Sequence, residues 1–143
     1  MHLTWQLWAL GAALMAACTA VLSKLGIEGI DPNLATLLRT LVVAVVLTAL
    51  LAMSGHLQAV PLQALPRRSL LALALAGLAT GLSWLCYFQA LRLGPVAGVA
   101  SIDKLSVPLV AVLGLLWLGE SLRPVGWIGV LLMGAGAALV ALA

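Results

Sequence analysis

Three ionised side chains stand inside stretches that are otherwise apolar enough to lie in lipid: Arg39, Asp103 and Lys104. A charge in a membrane span costs at least about 2.5 to 3.5 kcal/mol on insertion scales, so such groups face a protein interior or an aqueous cavity and mark functional sites. Arg39 lies about 10 Å along its helix from Pro32, and Asp103 about 12 Å along its helix from Pro95, at 1.5 Å per residue. Both helices start on the same side of the membrane. An Arg39–Asp103 ion pair is therefore allowed if the two spans face each other, with the guanidinium holding the carboxylate through two parallel hydrogen bonds. Lys104 points about 100° away from Asp103 on a regular helix, so one of the two pairs while the other faces a cavity or a second chain. Pro108 cannot donate to the carbonyl of Lys104, which predicts a kink with a free acceptor beside the charges. The segment "SWLCYFQALRLG" adds Trp84, Tyr87, Phe88 and Gln89 on the same side of the membrane as Arg39 and Asp103. Trp84, Tyr87 and Phe88 share a helix face, and an aromatic wall beside cations suits an amphipathic or cationic organic molecule. The candidate substrate-binding residues are thus Arg39, Asp103, Lys104, Trp84, Tyr87 and Gln89. Two readings compete with this one. The charges could be a purely structural network, with Lys104 snorkelling to the surface, and the aromatic residues could form an interfacial belt.

The elements that must position these groups follow from composition. The chain has 143 residues, of which 64% are hydrophobic and 8% charged, and its mean hydropathy is +1.22. Soluble domains carry roughly 25% charged residues. This is the composition of an all-α integral membrane protein. Its net charge of +3 comes from seven basic and four acidic residues, which form no basic patch for nucleic acid. A span needs about 20 apolar residues, and the glycines, prolines and charges cut the chain into five such pieces, at about 4–25, 32–53, 69–91, 95–118 and 125–143. Asp31 and Pro32 offer an N-cap and a first-turn proline for the second span. The stretch Ser54 to Arg68 is the longest loop. The start, "MHLTWQLWAL", has no basic n-region, so no signal cleavage is expected.

Five spans place the two termini on opposite faces. Arg67, Arg68 and Arg123 lie on the N-terminal side, against Lys24 and Arg92 on the other. That small excess favours a cytoplasmic N-terminus, and a balance this even is also what a chain inserting in both orientations would show. Trp5, Trp8, Trp117 and Trp127 fall near the N-terminal-side interface, as an aromatic belt would. Lys24, Glu28, Asp31 and Arg92 read as solvated interfacial charges. Cys18 and Cys86 read as small hydrophobes, and His2 and His56, terminal and in a loop, promise no metal site. No cofactor is expected. Gly77 and Gly81 form G-x-x-x-G, and Gly126, Gly129, Gly134 and Gly136 stripe the last span, patterns that allow close helix approach and make a dimer plausible.

The stretches "LGIEGIDPNLATLLRTLVV", "LSWLCYFQALRLG" and "SIDKLSVPLVAVLGLLWLGESL" resemble the EamA-type domain of the drug/metabolite transporter superfamily, in its single-repeat, five-helix bacterial form. The similarity covers nearly the whole chain as one domain, 1–143, including the A-L-x-L-G ending at Ala90–Gly94 and the L-G-E closure at Leu118–Glu120. Most relatives of that family are about twice as long, with two such repeats in opposite orientation. The resemblance therefore implies a homodimer of ten helices, antiparallel, in a bacterial inner membrane. It implies a secondary transporter or facilitator for a small organic metabolite or drug, working by alternating access. The small multidrug resistance proteins are similar in architecture, with an essential acid in the first helix. Here the first span offers only Gln6, Thr19 and Ser23, so Asp103 is the one carboxylate deep enough to couple protons. A small membrane subunit that assembles with a larger partner, or a flippase for a lipid-linked intermediate, remains an open alternative. No nucleophile, metal cluster or acid–base pair suggests an enzyme.

Overall fold

The computed structural model describes residues 4–55 and 66–142, and among these every regular element is helical. Helix α1 spans Thr4–Gly26. Helix α2, Pro32–Met53, opens as its sequence requires: Asp31 is extended, its Oδ1 accepts from the Asn33 and Leu34 N–H groups at 2.9 and 3.2 Å, and proline fills the first turn. These bonds satisfy donors that an N-terminus otherwise leaves open. Helix α3, Arg67–Leu93, starts two residues ahead of the sequence expectation and ends two beyond it. Pro66 accepts from the Leu70 N–H at 3.1 Å, so the helix begins directly after the proline and takes in both arginines. His2, His56 and most of the expected Ser54–Arg68 loop lie outside the described residues.

The fourth span, Val96–Leu118, is not one helix. It consists of α4, Val96–Asp103, then α5, Ser106–Leu113, then a π-helical turn, Gly114–Leu118. The break at Lys104–Leu105 follows from Pro108, which has no N–H for the fourth carbonyl back and whose ring crowds it. The chain answers by tightening: Leu105 N–H donates to Ile102 O at 2.9 Å and Val107 N–H to Lys104 O at 3.0 Å. The free carbonyl expected at Lys104 is therefore corrected, because a shorter-range donor has taken it. The π turn ends at Gly119, whose φ of 68° lies in the left-handed region that L side chains avoid. Glu120 N–H donates back to Gly114 O at 3.1 Å. Helix α6, Pro124–Leu142, completes the chain.

Five of these spans are long and apolar enough to cross a membrane. Their surfaces carry leucine, valine, tryptophan and methionine exposed all round; Trp8 is 82% and Met53 86% exposed, which suits lipid as solvent. Hydroxyls inside the spans bond their own helix: Thr36 donates to Pro32 O, Thr40 to Thr36 O and Thr80 to Ala76 O, each at 2.8 Å. In hydrocarbon such internal satisfaction is obligatory.

Two compact units emerge, Gly26–Arg92, and Met1–Leu25 with Leu93–Ala143. In the first, α2 and α3 share a core of Ile27, Ala35 and Phe88, with Tyr87 packed on it. In the second, α4 and α5 pack on α6. Gly134 of α6 lies so close to α5 that a Cβ there would stand 3.6 Å from the Pro108 ring. The last span's glycine stripe therefore serves packing within the chain at this point. Among the described residues, nothing lies within 4 Å of where a Cβ would be at Gly77 and Gly81 of α3. Lys24 at the end of α1 donates to Gly94 O at 3.0 Å, so this residue, read from sequence as a solvated charge, ties α1 to the turn before α4.

Candidate functional site

In the unit of α2 and α3, Pro32 and the Asp31 cap set the start of α2, and Arg39 follows two turns later, facing α3. Trp84 and Phe88, one turn apart on α3, meet it. The Arg39 guanidinium carbon stands 4.1 Å from the Trp84 ring centroid and 5.8 Å from that of Phe88. Both distances are within the range for cation–π attraction. Phe88 is 3% exposed and anchors the core, so one side of this aromatic platform is fixed by packing. Tyr87 lies against the same cluster. Gln89 is exposed; five positions from Trp84, it projects well round the helix from the Trp84 face.

No acid in this unit pairs with Arg39. Its carboxylates are Glu28 and Asp31, both in the turn before α2, and Asp31 Oδ1 is committed to the cap. Arg39 is partly buried, whereas an ion pair joins Lys104 with Asp103.

That pair belongs to the other unit. Lys104 Nζ stands 3.6 Å from Asp103 Oδ2, with the two side chains 55% and 42% exposed. Sequence neighbours on a regular helix diverge, and the sequence argument gave them separate partners. Lys104 keeps helical backbone angles at the end of α4, φ −70° and ψ −10°, so it is the length of the lysine side chain that reaches its neighbour's carboxylate. Among the described residues no group of three or more His, Cys, Asp or Glu is placed to hold a metal.

Of the sequence-predicted residues, the structure thus brings Arg39, Trp84 and Tyr87 into one cluster and Asp103 and Lys104 into another, with Gln89 exposed. Sequence reasoning placed Phe88 on the aromatic face without choosing it as a site residue, although its spacing of four from Trp84 was the available signal.

Five spans long and apolar enough to cross a membrane, among the described residues, define a multi-pass helical membrane protein. The chain belongs to the EamA-like transporter family, whose model matches residues 3–142. It is 50% identical over 141 residues, covering 99% of each chain, to a Sinorhizobium sp. protein described as "uncharacterized transporter in cobO 3'region". No solved structure matches the chain.

Proposed function

We propose that this protein is a secondary transporter or facilitator that moves a small organic metabolite or drug by alternating access. It works in a bacterial inner membrane as an antiparallel homodimer. The observation that carries this reading is Arg39, held at membrane depth on Trp84 with no acid of its own unit beside it. A group so costly to insert is kept where it meets a polar molecule. Trp84 and Tyr87 would contact the apolar part of that molecule, with Gln89 at the edge. Asp103 and Lys104 would supply a carboxylate and an amine at a broken span, the kind of irregular backbone that transporters use for substrate and ion sites. One copy takes the orientation that the loop arginines slightly favour, with its N-terminus in the cytoplasm, and the other copy takes the opposite one. Family membership and the five spans support the reading.

Purified chain in proteoliposomes, offered a broad panel of labelled metabolites, tests it. Uptake or exchange above protein-free vesicles is expected for at least one class of solute. No movement of any solute, together with a stable complex with another membrane protein, would instead make the chain a subunit of something larger.

A further inference from the structure

Resting on the transporter reading of the same cluster, we infer that Arg39 is a carboxylate-binding fork and that Trp84 positions it, so that the substrate is an organic anion. The guanidinium is planar. Its five N–H donors lie in its plane, and none is needed by a ring that covers its face. At 4.1 Å from the ring centroid, Trp84 occupies one face of the cation and Phe88, at 5.8 Å, borders it. Stacking on its face leaves the in-plane donors of the guanidinium unused by the rings. No carboxylate of the Gly26–Arg92 unit takes that role, since Asp31 Oδ1 caps α2 and Glu28 sits in the exposed turn before it. A planar cation in a partly buried setting, stacked and without an acid of its own unit, matches a planar two-oxygen anion through paired N–H donors. Tyr87, partly buried on the core that Phe88 anchors, favours an apolar or aromatic body on that anion. Arg39 touches the substrate; Trp84 acts through Arg39 and is a positioning residue.

The test is binding of radiolabelled benzoate to the full chain in lipid nanodiscs, with benzamide and benzamidinium as neutral and cationic competitors of the same shape. Saturable benzoate binding is expected, with benzamide weaker by about tenfold or more, as the loss of a charge-assisted pair implies, and benzamidinium inactive. Arg39→Gln should weaken benzoate by about tenfold or more, and Arg39→Lys, which keeps the charge without the fork, by less. Trp84→Leu should cost several-fold, with Trp84→Phe restoring most of the affinity and the preference for benzoate over benzamide. The competition arm uses unaltered protein, so a variant that fails to fold cannot decide the matter. Equal displacement by benzamide or benzamidinium, the absence of saturable benzoate binding, or full affinity in a folded Arg39→Gln chain would each overturn the assignment. A chain that carries only neutral or cationic solutes would overturn it and leave the transporter reading standing. Benzoate bound at Arg39 by a chain that carries no solute would keep the fork and remove the transport.

Discussion

A guanidinium two turns inside an apolar span persists only if something replaces the water it has lost. Insertion at the centre of a span costs about 2.5 to 3.5 kcal/mol, and a cation–π contact contributes about 0.5 to 2 kcal/mol from exposed to desolvated settings. For the partly buried Arg39, Trp84 therefore offsets part of that cost. Lys24 makes a different bargain with its surroundings, giving its charge to the Gly94 carbonyl. Lys24→Met should lower stability by about 1.5 kcal/mol, the lower end of the range for a charged hydrogen bond because the site is only part-buried. Unfolding in mixed detergent micelles measures this, and an unchanged midpoint would show that the bond contributes nothing. Arg39 and Trp84 were legible in the sequence because a charge and a deep indole are conspicuous among leucines. The Lys24 bond was not, since its acceptor is a backbone carbonyl 70 positions away that no side-chain pattern announces. The Asp103–Lys104 contact was hidden for another reason: neighbours that diverge on a helix meet only through the reach of the lysine side chain, which residue spacing does not show.

At the scale of elements, length and punctuation carry most of the information. Asp31 and Pro32 at the start of α2, and Pro124 at the start of α6, act where a helix N-terminus needs them. The fourth span shows where this runs out. Pro108 signalled an irregularity, but the chain resolves it four residues earlier and closes the carbonyl that the simple argument left open. The π turn at Gly114–Leu118 has no breaker in its own sequence, "GLLWL"; its cause lies at the end, in Gly119 and the bond from Glu120 N–H to Gly114 O. Packing between elements makes a sharper prediction. A Cβ at Gly134 would stand 3.6 Å from the Pro108 ring, an ordinary contact. Gly134→Ala should therefore be neutral or stabilising by about 0.5 to 1 kcal/mol from the helix preference alone. Gly134→Leu must displace α5 and should cost about 1 to 3 kcal/mol. Thermal unfolding of the two variants checks the contrast; equal stability would mean that α5 and α6 do not meet there.

For the whole molecule, the proposed arrangement is two copies inserted in opposite senses. That arrangement predicts a specific labelling pattern. In a chain with Cys18→Ser and Cys86→Ser, a Ser121→Cys thiol in the exposed turn before α6 should react with membrane-impermeant maleimide from both faces of the membrane, each reaching part of the population. Labelling from one face alone would require a parallel dimer or a different partner. The membrane character and the span count were readable from composition, because lipid demands long apolar helices and little else. Which cations and rings meet was not, because that depends on the rotation of each helix about its axis, which an all-round apolar surface does not specify. The most direct measurement of the central claim is solute movement into proteoliposomes that contain this chain and no other protein. Saturable uptake or exchange of an organic solute, reduced by Arg39→Gln, is the predicted result; vesicles no more permeable than protein-free lipid to every solute offered would contradict it.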